Sequence, residues 1–134
     1  MWTDRHVVVG VTGGIACYKS CHLVRHLVES GAQVDVVLTR GAAEFVRPLT
    51  FEALSGRPVL SSLWEPDRAL AHIQLGRDAD LIIVAPATAH ALARLAHGMA
   101  DDFLTALVLA TTKPVLLAPA MNDAMYAAAP TQDN

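Results

Sequence analysis

Cysteine is scarce in this chain: Cys17 and Cys21 are the only two. Four residues apart on one predicted helix, they share a face but do not suit a disulfide, and no cluster of His completes a zinc set around them. They read as small core residues, and no metal site is expected. Basic runs are missing as well. Ten Lys and Arg stand against thirteen Asp and Glu, a formal charge of -3, which makes nucleic acid and anionic membrane poor candidate partners. The longest apolar stretches reach about six to eight residues, far short of the roughly 20 a spanning helix needs. The N-terminus lacks a basic flank followed by a long apolar region. There is no internal repeat and no low-complexity linker, and Trp2 and Trp64 fall in no pattern. The expectation from these absences is a cytoplasmic protein whose partner is a small ligand or another protein.

What is present is a core. With 134 residues, 53% of them hydrophobic, the chain has the size and apolar content of one domain over residues 1–134. Short runs rich in Val and Ile predict strands at His6 to Val11, Gln33 to Leu38, Asp80 to Ala85 and Pro114 to Ala118, with a brief one at Val59 to Leu60. Between the first two, Ala16, Ser20, Leu23, Val24, Leu27 and Val28 recur at helical spacing within Ile15 to Ser30, and Gly31 sits where a C-terminal cap belongs. Gly41 to Phe45 and Leu49 to Leu54 read as short helices, and Ala87 to His97 and Asp101 to Leu109 as two more divided by Gly98. Buried strands alternating with helices predict an α/β fold: a doubly wound, Rossmann-like, mainly parallel sheet with helices on both faces. After the last strand, "PAMNDAMYAAAPTQDN" offers no further helix long enough to cover the sheet. Either the segment runs on past Asn134, or the tail beyond Asn122 is loosely held.

In such sheets ligands sit beyond the carboxyl ends of the strands. Those ends deliver Thr12-Gly13-Gly14, Thr39-Arg40-Gly41, Pro86-Ala87-Thr88-Ala89 and Pro119-Ala120-Met121-Asn122. Adjacent glycines where a strand hands over to a helix serve either a tight turn or the close approach of a phosphate to free backbone N–H groups. The spacing Gly10-x-x-Gly13-Gly14 is not G-x-G-x-x-G, and no acidic residue ends the second strand to hold a ribose, so a mononucleotide fits better than a dinucleotide. His72 is a candidate acid or base because imidazole titrates near neutrality; a surface or core histidine is the alternative, and His6, His22, His26 and His97 are read that way. Asn122 either donates to a substrate carboxylate or caps a helix over Ala124 to Ala129. Asp101 and Asp102 start a helix and complement its dipole.

Taken together and in order, Gly13-Gly14-Ile15-Ala16, His72-Ile73-x-Leu75, Ala85-Pro86-Ala87-Thr88-Ala89, Gly98-x-Ala100-Asp101-Asp102-x-Leu104-Thr105 and Pro119-Ala120-Met121-Asn122-x-x-Met125 resemble the flavin-containing cysteine decarboxylases over nearly the whole length. Within that family the chain is most similar to the phosphopantothenoylcysteine decarboxylases of bacterial coenzyme A biosynthesis, and the P-x-M-N-x-x-M motif separates it from the flavin prenyltransferases. The resemblance implies FMN as cofactor, held by Gly13, Gly14 and Ile15, by Thr39, Arg40 and Gly41, by Thr88 and Ala89 with His90 beside them, and by Ala120. It implies His72 as the active-site histidine, and Asn122 with Met125 as the group that holds the cysteine carboxylate of a small thiol substrate. It further implies a homotrimer, or a homododecamer of trimers, with the flavin at a subunit interface.

The chemistry implied is oxidation of the carbon bearing sulfur to a thioaldehyde, whose C=S accepts the electrons released with CO₂; reduction of the resulting enethiol completes the coenzyme A branch. Three positions depart from the family pattern. No cysteine follows Asn122, where the coenzyme A branch carries one on a flap; the expectation is either that the family segment continues beyond Asn134 or that a chain lacking the flap releases an enethiol. His90 stands where Asn is usual, and Tyr126 where Trp is usual. Peptidyl-cysteine decarboxylation to an enethiol and a non-catalytic FMN-binding subunit are the alternatives to the coenzyme A reading.

Overall fold

The structure is a computed structural model that describes residues 1–134. Its elements in chain order are β1 (His6–Val11), α1 (Cys17–Glu29), β2 (Gln33–Leu38), α2 (Arg40–Ala43), α3 (Pro48–Ser55), α4 (Ala71–Asp78), β3 (Leu81–Ala87), α5 (Ala89–Ala96), α6 (Phe103–Ala110), β4 (Val115–Pro119), α7 (Asp123–Ala127) and α8 (Ala129–Asp133). A short 3-10 turn at Pro66–Arg68 precedes α4.

The four strands form one parallel sheet in the order β2-β1-β3-β4, so the chain reverses direction across the sheet after β2. β1 lies inside it, paired with β2 on one side and β3 on the other; Val8 is opposite both Asp35 and Ile82. A strand covered on both faces has no solvent side, which is why its sequence is an unbroken valine run rather than an alternation. The two-residue period still sorts the side chains. Val7, Val9 and Val11 face Val24, Leu27, Val36 and Phe51 beneath α1 and α3, while Val8 joins Ile82, Val84, Phe103, Leu104 and Leu107 beneath α4 and α6. Two cores on opposite faces make the sheet doubly wound, as the alternation of elements predicts.

α1 seats Ser20, Val24 and Leu27 against the sheet at helical spacing. The buried Ser20 hydroxyl donates to the Ala85 carbonyl at 2.5 Å. The helix stops where expected, with Gly31 at φ 97°, a conformation glycine adopts without a Cβ penalty.

Several details differ from the sequence expectation. β3 runs on through Ala87, so α5 begins at Ala89, and α6 begins at Phe103 because Asp102 caps it. α1 starts at Cys17, because Gly14 to Ala16 are used in the turn out of β1. Val59 to Leu60 is not a strand: Leu60 makes one isolated parallel bridge to Val37. α4 was not expected, since its eight residues bury only Leu75 and Gly76 and carry no capping side chain at their start. The tail is helical, with Asn122 capping α7 and α8 packing on α5. β4, at the sheet edge, keeps Leu116 and Leu117 exposed at 54% and 40%.

Candidate functional site

A cavity of about 1030 Å³ opens at the carboxyl end of the sheet. Every strand contributes the residues that follow it: Thr12 to Ala16 from β1, Thr39 to Gly41 from β2, Thr88 to Ala91 from β3, and Ala120 to Asn122 with Met125 from β4. The loop between α5 and α6 and the first turn of α6 close one wall with Met99, Asp101, Asp102, Leu104 and Thr105, joined by Arg94 and Leu95 from α5.

The floor is built by hydrogen bonds between neighbouring strand ends. The buried Thr12 hydroxyl donates to the Pro86 carbonyl at 2.5 Å and accepts from the Thr88 N–H at 3.1 Å, which ties the end of β1 to the end of β3. Three strand ends then pass directly into capped helices. Thr39 Oγ1 accepts from the Ala42 N–H, Thr88 Oγ1 from the Ala91 N–H and Asn122 Oδ1 from the Met125 N–H, at 3.2, 3.1 and 2.8 Å. Such residues stop the chain in an extended conformation and satisfy a first-turn donor. The helices therefore begin at the cavity, and their positive dipole ends face it.

The paired glycines serve close packing rather than an unusual backbone conformation, since neither has positive φ. A Cβ on Gly13 would lie 2.9 Å from the Gly41 carbonyl carbon and 3.0 Å from its Cα, both backbone atoms that cannot swing aside. The loops after β1 and β2 are thus in contact through glycine. Beside this contact, the N–H groups of Gly13, Ile15 and Ala16 have no partner within the chain, whereas the Gly14 N–H is used by Thr12. Free donors at the start of a 13-residue helix, next to a surface without side chains, match the chemistry of an anion.

Across the cavity, Arg94 is charge-paired. Its Nη2 lies 2.5 Å from Asp101 Oδ1 and 3.0 Å from Asp102 Oδ2. Burial works against the Arg94 charge, but the two carboxylates outweigh it and raise its pKa; the hydrogen bond from Arg94 in turn lowers that of Asp101. Asp102 also caps α6, its Oδ1 accepting from the Thr105 N–H at 2.8 Å. The dipole role expected of Asp101 and Asp102 is thus joined by a second one: they hold a cation in the cavity wall. Arg40, by contrast, lines the cavity with no salt bridge within the chain.

Of the residues singled out from sequence, Gly13, Gly14, Ile15, Thr39, Arg40, Gly41, Thr88, Ala89, His90, Ala120, Asn122 and Met125 line this one cavity. Asn122 spends its carbonyl oxygen on the helix cap, and its NH₂ makes no hydrogen bond within the chain, so both readings of Asn122 are compatible. His72 is elsewhere. It sits near the start of α4, half-buried, with its ring edge-on to Phe103 at 6.1 Å between centroids. Its Nδ1 is shielded and lacks a hydrogen-bond partner. Sequence reasoning missed Arg94, Met99 and Leu95 as cavity residues; the usable signal was the four-residue step from His90 to Arg94, which puts both on one face of α5. Cys17 and Cys21 lie outside the cavity, both free, and burial pushes both thiols up.

The family follows from comparison. The Flavoprotein family model matches residues 1–134, and the chain belongs to that family. The coenzyme A biosynthesis bifunctional protein CoaBC of Haemophilus influenzae is 54% identical over 132 residues, and that of Escherichia coli K12 is 51% identical over 132 residues. These matches cover 97% of this chain but only 33% and 32% of those relatives, so the chain spans about a third of their length. Among solved structures, the FMN-dependent cysteine decarboxylase SpaF superposes with a TM-score of 0.92 at 34% identity, covering 99% of this chain and 78% of SpaF. A PPC decarboxylase complexed with pantothenoylaminoethenethiol superposes with a TM-score of 0.83 at 28% identity, covering 96% and 74%.

Proposed function

We propose that this chain is an FMN-dependent decarboxylase that acts in the cytoplasm on the cysteine moiety of 4'-phosphopantothenoylcysteine, on the way to 4'-phosphopantetheine in coenzyme A biosynthesis. One observation carries the reading: an anion cradle of free N–H groups at Gly13, Ile15 and Ala16 shares a cavity with Asn122. The cavity has the volume of a small-molecule site, and its donor set fits a mononucleotide phosphate. Arg40 adds a cation at the same end. The identity to CoaBC proteins supports this substrate; the likeness to SpaF supports, as a second reading, a cysteine at the end of a peptide.

When bound, FMN supplies a hydride acceptor. The remaining work falls to the chain. The Gly13 to Ala16 turn and Thr39 to Gly41 hold the phosphate end, and Thr88, Ala89, His90 and Ala120 line the other half. Asn122 donates through its NH₂ to the substrate carboxylate, and Met125 packs beside it. That carboxylate is thereby oriented within walls that are mainly apolar, where a charge without hydrogen bonds would be disfavoured. Loss of hydride from the carbon bearing sulfur and of the thiol proton leaves a C=S bond. Breaking the bond to CO₂ then sends its electron pair toward sulfur and gives an enethiolate, which becomes the enethiol on taking up a proton.

His72 takes the thiol proton in this reading, and it does so for a neighbouring copy. Within one chain His72 does not line the cavity, while the cavity mouth carries exposed apolar side chains, among them Ile15 at 75% and Met99 at 44%. A homotrimer, alone or within a dodecamer, with the flavin at the contact between copies would supply the histidine and cover that rim. The test is incubation with FMN and phosphopantothenoylcysteine, followed by mass spectrometry. Loss of CO₂ is expected, His72→Asn is expected to retain yellow colour but not turnover, and colourless protein that takes up no FMN would defeat the assignment.

A further inference from the structure

Five charged or titratable side chains line the cavity: Arg40, His90, Arg94, Asp101 and Asp102. The guanidinium groups stay charged throughout the physiological range, and the two carboxylates pair with Arg94 at 2.5 and 3.0 Å. Imidazole is the one side chain in this set whose ordinary titration falls between about pH 5 and 8. His90 is the one imidazole that lines the cavity.

Its position decides what that charge acts on. The glycine contact and the unpartnered N–H groups lie over β1 and β2, and they mark the phosphate end. His90 follows β3, on the other side of β1 in the strand order, in the half of the cavity that also holds Asn122 and Met125. The side chain is exposed in the first turn of α5, one helical turn before Arg94. The elements packed on α5 are α6 and α8. They bring Asp101 and Asp102 at the start of α6, and Asp133 on α8. Asp101 is the carboxylate that His90 influences electrostatically; it shares the Arg94 guanidinium with Asp102, so the three groups together keep one formal negative charge on this side of His90.

We propose that His90 sets the redox balance of the flavin by charge: protonated, it favours the reduced, anionic cofactor over the oxidised one. This rests on the FMN reading above. Reduction of the neutral oxidised ring by two electrons and one proton leaves one negative charge on the ring, and a cation lining the same cavity lowers the energy of that state, by an amount that the solvent reaching the exposed imidazole screens. Oxidised FMN, whose ring is neutral, gains little from it. The pocket is thereby a better hydride acceptor with the imidazole protonated than with it neutral.

The experiment is reductive titration of the FMN-loaded protein against a reference dye at pH 6 and pH 8, for wild type, His90→Asn and His90→Lys, with FMN affinity measured in parallel by fluorescence quenching. At pH 6 wild type should favour reduced over oxidised flavin roughly threefold to tenfold more than His90→Asn, the upper figure corresponding to about 30 mV for a two-electron couple. At pH 8 the two should agree, whereas His90→Lys should keep the raised potential at both pH values. Equal potentials for wild type and His90→Asn at pH 6 would overturn the role of His90 alone. So would a pH-dependent affinity for oxidised FMN with no shift in potential, which would place the imidazole at the phosphate. Loss of FMN binding from both variants would assign His90 a packing role and overturn the proposal as well. Failure of the wild-type protein to take up FMN at any pH overturns both this role and the flavin reading beneath it.

Discussion

Gly13, just past the end of β1, and Asp35, within β2, show how single residues constrain this molecule. Because a Cβ on Gly13 meets the backbone of Gly41 at 2.9 Å, Gly13→Ala has to push two loops apart. The expected cost is about 1–3 kcal/mol of stability, the range for overpacking at a rigid contact. FMN uptake should fall with it, because the displaced loops carry the free N–H groups; a denaturant midpoint and a flavin titration on the same variant check both. Asp35, buried in β2, accepts from His6 Nε2 at 2.6 Å and from Arg57 Nε at 2.7 Å. Burial alone would raise its pKa, but these hydrogen bonds and the charge of Arg57 prevail and hold it below the ordinary 3.8. A carboxyl whose pKa is depressed by folding contributes stability that is complete above its unfolded value and lost as pH falls through its folded one. Asp35→Asn is accordingly expected to cost about 1–3 kcal/mol at pH 7, with the gap to wild type closing below pH 4 in urea melts.

At the scale of elements, the wall of the cavity depends on how α6 begins. Asp102 performs two tasks there: Oδ1 caps the helix, and Oδ2 pairs with Arg94. The two are separable by substitution. Asp102→Asn keeps a capping oxygen and loses the ionic partner, while Asp102→Ala loses both, so thermal unfolding should rank wild type above Asn above Ala, the last step costing about 1 kcal/mol. A ranking in which Asn and Ala coincide would show that the cap contributes nothing. The same elements mark what could be read from sequence. β1, β2 and the end of α1 were legible because a valine run, a helical repeat of apolar residues and a terminal glycine agree; the start of α1 was not, because Gly14 to Ala16 are used in the turn out of β1. α4 was not. Its pattern alternates polar His72, Gln74, Arg77 and Asp78 with few apolar anchors, and it exists because Leu75 and Gly76 pack beneath α6, a tertiary reason no local window contains. The 2.8 Å bond from the Thr111 hydroxyl to the Gly76 carbonyl is of the same kind.

For the whole molecule, strand order is what gathers the candidate site. Residues 12, 39, 88 and 122 are far apart in the chain and meet only because four parallel strands end on one edge of the sheet; the parallel arrangement was readable from the alternation of elements, and with it the position of the cavity. The location of His72 was not readable, because it depends on where α4 lies relative to that edge. A chain that keeps Asn122 in its own cavity and His72 outside it has a testable consequence if copies combine to form one site. His72→Asn and Asn122→Ala homomers should each lack turnover, one for want of the imidazole and the other for want of the carboxamide. Unfolding both together and refolding them as a mixture would produce contacts in which the intact histidine of one chain meets the intact asparagine of another. With random assortment into closed rings, roughly a quarter of the contacts would carry both groups, and CO₂ release should recover toward that fraction. Mixing without refolding should recover far less if assembled rings do not exchange subunits. A mixture that stays inactive while binding FMN and assembling normally would show that His72 and Asn122 do not meet between copies, and would remove His72 from the reaction.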